Sequence, residues 1–341
     1  MIRRHPFRTL AAVLAVLLVA GAVAVGLIAK RELAPVQSNQ RQQVVVAVKP
    51  HESLSTLVAT LRDGRLIRSS LVFDLYARAK GLDTRIHPGK FVLDRGMGSS
   101  EMVEVLEAKP AVLPIKVTIP DGLRAQQEAA LLARHGLFSK ASYLSQVDGG
   151  SFPGIPPLPG TSSNASWEGL AFGDTFLVRP SISAHQLLQL QLEDFDHKER
   201  AAIIAGAAKV GLSPYQVVVL ASIVEAEATT AKDRGLVARV FFNRLKQGMP
   251  LQSDVTIIYA MSVAGMGNAK FSTSFASPYN TYLHAGLPPG PIDSPGAISL
   301  NAVLHPTSSS YLYFVSLKNG KMLFATTAAQ HQQQVQEAGL G

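Results

Sequence analysis

The stretch SPYQVVVLASIVEAEATT, residues Ser213–Thr230, decides the organisation of this chain. Ser213 and Pro214 form a typical helix start, an N-cap residue followed by proline at the first helical position. The residues that follow are almost all apolar or small, as in a helix at the centre of a core. Glu225 and Glu227 end this run, although ionised carboxylates are costly to bury. The sequence therefore predicts a central helix whose end carries unusual acidic groups.

The helical period separates the two glutamates. At about 100° per residue, Glu227 falls within the stripe formed by Leu220, Ile223 and Val224. Glu225 points about 160° away, so the two are not a catalytic pair. Burial would raise the pKa of Glu227 and keep it protonated near neutral pH, as a general acid requires. A buried arginine partner, or a frayed and solvated helix end, would explain the same residues without chemistry.

Composition limits the partners and the chemistry. The chain has 341 residues, 32 Lys and Arg against 24 Asp and Glu, and a formal charge of +8. Such a surplus suits acidic lipid headgroups or an acidic cell-wall polymer. Nucleic acid is disfavoured, because the chain has no RNA-binding aromatic signature and no zinc-finger spacing. Without cysteine there is no disulfide, thiol catalysis or Cys-ligated zinc, and no metal or cofactor is expected.

The N-terminus predicts a membrane anchor. Residues 9–29 are 21 consecutive uncharged residues, and a helix of this length spans about 30 Å of hydrocarbon. Three arginines precede the run, and by the positive-inside rule they place an N-terminal tail, residues 1–8, in the cytoplasm. The two basic residues that follow the run weaken this prediction of orientation slightly. A cleaved signal peptide is the alternative, but the run is long and lacks a small-x-small cleavage site. We expect a single-pass protein of the cytoplasmic (inner) membrane with an extracytoplasmic domain after a linker, residues 30–43.

Beyond the linker, the pattern of strands and helices predicts an α+β fold. Residues 44–120 read as a small β-α-α-β-α-β domain, in which Ser100 and Glu104 suggest a capping box. Residues 121–341 read as a helix-rich domain with a β hairpin at a KNG turn. Within it, residues 249–325 are expected to be loop and strand.

Five motifs occur in one order: LASIVEAEA, VARVFFNRLKQGMPLQSDVTIIYA, PYNTYLHAGLPPGPIDSPG, AVLHPTSSSYLYFV and FATTAAQH. Together they resemble the MltG (YceG-like) family, the membrane-anchored endolytic murein transglycosylases of bacteria. The resemblance covers nearly the whole chain. Residues 44–120 resemble the LysM-like domain of that family, and EGLAFGDTF resembles its linking motif.

The resemblance implies an enzyme, a lytic transglycosylase of peptidoglycan. The family cleaves the β-1,4 bond between MurNAc and GlcNAc in nascent glycan and leaves 1,6-anhydroMurNAc ends. This reaction needs one carboxyl group, acting first as acid and then as base, and no cofactor. The resemblance places it in VEAE, as Glu227 with Glu225 as the alternative. The implied partners are peptidoglycan glycan strands, the cytoplasmic membrane and cell-wall synthases (penicillin-binding proteins).

Further motif residues are candidates for binding substrate. Gln252 could hydrogen-bond an N-acetyl group or orient the acid, and Asp254 could assist it or cap a helix. Arg244 is a candidate partner of Glu225, which would make Glu225 structural. Residues 286–296, rich in Pro and Gly, are expected to form a rigid cleft wall. The PYNTY motif adds candidate sugar-binding residues: Tyr279, Asn280, Thr281 and Tyr282.

Some positions depart from the family pattern, and two other functions compete. Gly173 and Val255 stand where relatives commonly have proline, Phe176 stands for tyrosine, and Met322 replaces a histidine of the C-terminal hairpin. A catalytically silent, peptidoglycan-binding scaffold of the cell-wall synthesis machinery is the main alternative. A hydrolase that uses two carboxylates is the other, and it would release reducing ends.

Overall fold

The structure is a computed structural model that describes residues 6–37, 42–110, 112–163 and 165–339. The side chains of residues 6–12 and 15 also lie outside the described set. The predicted cytoplasmic tail and linker therefore fall partly outside the described residues. The chain divides into two units, residues 1–113 and 114–341.

The first unit packs short helices on a two-stranded sheet. Strands β1 and β2 are antiparallel, with Val46 opposite Phe91. The side chains of Ser53 and Ser69 cap α2 (Leu54–Asp63) and α3 (Ser70–Ala79). Fully buried side chains such as Leu61 form one core. The elements are α1 (Pro6–Glu32), β1 (Gln43–Val48), α2 (Leu54–Asp63), α3 (Ser70–Ala79), β2 (Gly89–Asp94) and α4 (Ser99–Glu107).

Two expectations for this region are corrected. Helix α4 is capped by Glu101, whose side chain accepts a 3.2 Å hydrogen bond from the Gly98 N–H, so the Ser100–Glu104 capping box is wrong. The reason is that the helix begins at Ser99, which makes Glu101 the third helical residue. The strand expected to close the 44–120 domain, β3 (Ile115–Thr118), pairs instead with a strand of the second unit.

The predicted membrane segment, residues 9–29, lies in α1, and some of its side chains are outside the described set. In the described part of the chain, no single helix is both long and apolar enough to cross a bilayer. One bent pair, Ala184–Val210 with Pro214–Glu227, meets the criteria by length and composition alone. The membrane anchor stays a prediction.

The second unit is helix-rich and carries two small antiparallel sheets among its described residues, β3 with β4 and β5 with β6. The hairpin predicted at the KNG turn is β5–β6, with Phe314 opposite Phe324. The elements after β3 are α5 (Ala125–Arg134), α6 (Lys140–Gly149), β4 (Thr175–Val178), α7 (Ala184–Phe195), a π-helical turn (Asp196–Arg200), α8 (Ala201–Ala207), α9 (Pro214–Glu227), α10 (Ala231–Lys246), α11 (Asp254–Val263), α12 (Ala297–Leu304), β5 (Tyr313–Ser316), β6 (Met322–Ala325) and α13 (Ala328–Glu337).

Helix α9 is the centre of this unit. Ser213 caps it, Pro214 opens it, and every residue from Val217 to Val224 is at most 2% exposed. Helices α8, α10, α11 and α12 all pack against it. Because α9 is enclosed on nearly every face, the orientation of its last residues is fixed by the core.

The expectation of loop and strand over residues 249–325 is wrong at α11 and α12. Helix α11, DVTIIYAMSV, opens with β-branched residues and is apolar on most faces, so neither propensity nor a 3.6-residue period marks it. Five of its ten residues are buried. Packing in the core therefore overrides the local preference for a strand. The broader prediction of a helix-rich α+β fold with small antiparallel sheets is confirmed.

Candidate active site

Glu227 is the last residue of α9 and opens into a cavity of about 550 Å³. Leu220, Ile223 and Val224, the stripe on which the helical period places it, are fully buried. The helix stops at Ala228, whose extended backbone turns the chain away. The acid therefore lies between the apolar core behind it and the cavity in front.

Ser253 holds the carboxyl group of Glu227. Its Oγ donates a 2.6 Å hydrogen bond to Glu227 Oε1. The turn that carries Ser253 is fixed by Thr281, whose Oγ1 accepts from the Ser253 N–H at 3.0 Å and whose carbonyl accepts from the Gln252 N–H at 3.1 Å. Gln252 has a φ of 48°, a left-handed conformation that these bonds stabilise.

The surroundings of Glu227 bring its pKa into the neutral range. Its pKa is raised from 4.5 to about 7, mainly by burial. The hydrogen bond from Ser253 and the positive charge of Arg244 lower this pKa, whereas the negative charge of Asp254 raises it. A carboxyl group with a pKa near the working pH can both give and take a proton.

We predict that the Glu227 carboxyl titrates near pH 7 and that Ser253→Ala raises its pKa further. The serine hydrogen bond stabilises the carboxylate, so its loss favours the protonated form. A ¹³C NMR titration of the labelled side-chain carboxyl measures both values. Ser145→Ala, which removes an exposed hydroxyl elsewhere, serves as the control. A Glu227 pKa near 4.5 in the wild type contradicts this account.

Arg244 supplies the positive charge at the cavity. It is 6% exposed, and its Nε and Nη1 donate to the carbonyls of Leu312 and Leu251 at 2.7 Å each. Its guanidinium lies 5.2 Å from the centre of the Tyr313 ring. The suggestion that Arg244 pairs with Glu225 is therefore wrong, because its donors are used on the other side of α9.

Three of the predicted binding residues line this cavity: Gln252, Asp254 and Tyr282. The Tyr282 hydroxyl donates a 2.6 Å hydrogen bond to Asp254 Oδ1. Asp254 is the first residue of α11, and no capping bond from its side chain is seen. The phenol and carboxylate thus form a polar rim beside the buried acid.

The structure places the other three predicted residues away from the cavity wall. Asn280 is fully buried, and its Nδ2 donates to the carbonyls of Thr273 and Phe275. Tyr279 packs against Tyr259 with ring centres 4.8 Å apart. Thr281 is 2% exposed and anchors the Ser253 turn. These side chains position the site, since their polar atoms or faces are used inside the fold.

Glu225 lies on the opposite side of α9, in a second cavity of about 420 Å³. Its Oε1 accepts from Arg234, and its Oε2 accepts from the Gly296 N–H at 3.1 Å. The two glutamates thus open into separate cavities. Both oxygens of the Glu225 carboxyl group are held by partners inside the fold, which makes Glu225 the weaker candidate for the acid.

Sequence reasoning missed several residues of the cavity. Ser253 lies inside the quoted LQSD motif, but nothing local shows that it reaches Glu227. His331, on α13, stacks on Tyr313 with ring centres 5.4 Å apart and lines the cavity. Met322, where the family resemblance leads us to expect a histidine, is 9% exposed in β6. An imidazole therefore reaches the cavity from α13, in a motif that the resemblance already included.

Among the residues that the structure describes, no group of three or more His, Cys, Asp or Glu side chains is arranged to hold a metal ion. The cavity offers one buried acid, a guanidinium, two phenols, an imidazole, an amide and a second carboxylate.

The chain is similar in sequence to proteins of known activity. The chain is 29% identical over 326 residues to an endolytic murein transglycosylase of Bacillus subtilis (strain 168), covering 92% of this chain and 89% of that one. It is 28% identical over 333 residues to an endolytic murein transglycosylase of Streptococcus pneumoniae (strain D39), covering 89% of this chain but only 60% of that longer protein.

A solved structure and a family match extend the comparison. The crystal structure of a YceG-like protein from Listeria monocytogenes aligns with a TM-score of 0.57 and 29% sequence identity, covering 86% of this chain and all of that one. The sequence model of the YceG-like family matches residues 46–337. The resemblance inferred from the motifs is confirmed, and this chain belongs to the YceG-like family.

Proposed function

We propose that the protein is an endolytic lytic transglycosylase that cleaves the MurNAc–GlcNAc β-1,4 bond of peptidoglycan. The observation that carries this proposal is Glu227, a buried acid with a pKa of about 7 that opens into a cavity large enough for a sugar. Family membership and the activity of two relatives, both endolytic murein transglycosylases, support it. The excess of basic residues suits an acidic polymer.

In the proposed reaction, Glu227 acts twice. Its proton passes to the glycosidic oxygen as the bond from that oxygen to muramyl C1 breaks, which leaves a carboxylate beside an electron-deficient C1. The C6 hydroxyl of the same muramyl residue attacks C1, and its proton passes to the Glu227 carboxylate. The products are a 1,6-anhydro end and a free GlcNAc hydroxyl, and no water is consumed.

The neighbouring groups suit this cycle. The Ser253 hydrogen bond fixes the acid in one orientation. Arg244 stabilises the carboxylate form between the two proton transfers, because its charge lowers the pKa of Glu227. Gln252, Tyr282 and Asp254 offer an amide, a phenol and a carboxylate to sugar hydroxyl and N-acetyl groups.

The products of cleavage test the proposal. We expect purified sacculi digested by the protein in H₂¹⁸O to yield anhydro-muropeptides without ¹⁸O, measured by mass spectrometry. A hydrolase in which Asp254 serves as the second carboxylate would instead yield reducing ends carrying ¹⁸O. Release of ¹⁸O-labelled reducing ends contradicts the transglycosylase, and release of no product at all favours the silent scaffold.

We also propose that α1 anchors the protein in the cytoplasmic membrane. Val16, Leu17, Leu18 and Val19 are each more than 60% exposed, and residues 9–29 carry no charge. The first unit is proposed to be the LysM-like domain of the family. An extracytoplasmic enzyme held at the membrane would meet glycan as it leaves the synthases, which makes penicillin-binding proteins the proposed partners.

A further inference from the structure

The cavity on the Glu225 side of α9 is lined by three carboxyl groups from separate parts of the chain. Asp121 follows β3, Glu225 lies on α9, and Asp293 lies in the Pro-rich loop before α12. Arg234 and Arg124 also line it. Arg234 pairs with Glu225, which leaves Asp121 and Asp293 without a cationic partner among the described residues.

Asp293 has the features of a binding group. It is 3% exposed, and its Oδ1 is buried without a hydrogen-bond partner in the described part of the chain. Burial and the nearby charges of Glu225 and Glu168 raise its pKa well above the ordinary range. A buried polar atom without a partner is costly, and a hydrogen-bond donor in the cavity would satisfy it. A cationic donor would in addition offset the negative charges of Glu225 and Glu168.

The loop that carries Asp293 is fixed rigidly to α9. Ser222 Oγ accepts from the Ile292 N–H at 3.0 Å, and Glu225 Oε2 accepts from the Gly296 N–H at 3.1 Å. The Gly122 N–H donates to the Ser294 carbonyl at 2.7 Å. The loop expected to form a cleft wall is thus a wall of the second cavity, and its carboxyl group is positioned before any ligand arrives.

Two glycines let Asp121 approach this loop. A Cβ atom at Gly173 would lie 2.6 Å from Asp121 Oδ1, and a Cβ at Gly296 would overlap Asp121 Oδ2. Gly173 is one of the departures from the family pattern. In this chain, the absence of a side chain at Gly173 leaves room for the Asp121 carboxylate at the rim of the cavity.

The two cavities lie on either side of one ridge. Glu227 lines the first, whereas its neighbours Ala226 and Ala228 line the second. In the same way Asp254 lines the first and Val255 the second. An α-helix is about 10 Å wide, and three extended residues span about 10 Å, to which the side chain of the third residue adds its own length. A peptide attached to a sugar in the first cavity can therefore reach the second.

We propose that the second cavity binds the primary ammonium group at the end of the third residue of a peptidoglycan stem peptide. This inference rests on the proposed function, since the stem is attached to the muramyl residue at the cleavage site. Asp293 and Asp121 receive the ammonium group. Diaminopimelate also carries a carboxylate at the end of its side chain, and Arg124 is the residue that would bind it. Arg124 lines the cavity and makes no ion pair with a described residue.

Peptide binding alone tests the inference. The full chain is titrated by calorimetry with L-Ala-γ-D-Glu-L-Lys and with the same peptide carrying diaminopimelate as its third residue. Each peptide is also tested after acetylation of the amine at the end of the side chain of that third residue. We expect acetylation to weaken binding at least tenfold in one or both peptides, and the peptide affected identifies the source of the ammonium group. Equal affinity for free and acetylated forms of both peptides overturns the proposal.

Variants place the binding site. In Asp293→Asn, the ratio of the dissociation constant of the acetylated peptide to that of the free peptide is expected to fall to about one. In Asp148→Asn, which removes an exposed carboxylate outside the cavity, the ratio should stay as in the wild type. Asp121→Asn is the second variant if Asp293→Asn does not fold. An unchanged ratio in a folded Asp293→Asn or Asp121→Asn rejects the assigned residues. Because binding is measured without cleavage, a protein that releases no anhydro product can still pass this test.

Discussion

Glu227→Gln is expected to lower turnover of glycan strands by about a thousandfold at neutral pH, the range over which a positioned general acid acts. Glutamine keeps the size of the side chain and can still accept from Ser253 Oγ, but it has no proton to give to the leaving oxygen. The cavity itself is preserved, so binding of glycan should change little. The loss should therefore appear in kcat and far less in KM.

The same reasoning sets the pH dependence of the wild type. The acid must be protonated when the bond breaks, and its pKa of about 7 lies above the ordinary 4.5. The rate is therefore expected to be constant and maximal below pH 7 and to fall as the pH rises through about 7. At higher pH, wild type and Glu227→Gln should converge, because both then lack the proton.

Glu225→Gln is the matched control. It makes the same substitution two residues away, on the side of α9 where the carboxylate pairs with Arg234. We expect it to retain far more turnover per folded molecule than Glu227→Gln. Release of anhydro-muropeptides, measured with circular dichroism on each variant, separates the two outcomes. If Glu225→Gln is the inactive variant and Glu227→Gln is active, the roles assigned to the two cavities are reversed.

The sequence predicts the centre of this fold better than its edges. Helix α9 is predicted correctly from Ser213, Pro214 and a long apolar run. The helical period alone then places Glu225 and Glu227 on different faces of this helix. Helix α11 cannot be recognised in this way, because its sequence is rich in β-branched residues and its apolar residues follow no helical period. Strand β3 belongs to the second unit and not to the predicted 44–120 domain, because it pairs with β4, which lies far away in sequence.

The site shows the same limit. The motif resemblance correctly selects Gln252, Asp254 and Tyr282, which line the cavity. It cannot show that the side-chain amide of Asn280 donates both its hydrogen bonds to backbone carbonyls inside the fold. The contact of Ser253 with Glu227 joins two loops that meet only in the folded chain. The role of a side chain can therefore be predicted here when it follows from the face of a helix on which the residue lies. It cannot be predicted when it follows from a contact between loops that are distant in sequence.

Arg234→Met is expected to lower the free energy of unfolding by about 3–5 kcal/mol, the cost of breaking a buried ion pair. The side chains of Arg234 and Glu225 are only 13% and 8% exposed, and Arg234 Nε also donates to the Ala228 carbonyl at 3.0 Å. Methionine fills a similar volume but leaves the Glu225 carboxylate facing Asp121 and Asp293 without its cation. Urea denaturation measures the change.

The double variant Arg234→Met/Glu225→Gln shows whether the cost comes from the stranded charge. If it does, removing the carboxylate as well restores part of the stability, with a coupling energy of about 1–3 kcal/mol. Arg78→Met is the control, because Arg78 pairs with Asp74 at the surface and is 49% exposed; its midpoint should scarcely move. If Arg234→Met is no more destabilising than Arg78→Met, then the ion pair with Arg234 does not hold Glu225 in place.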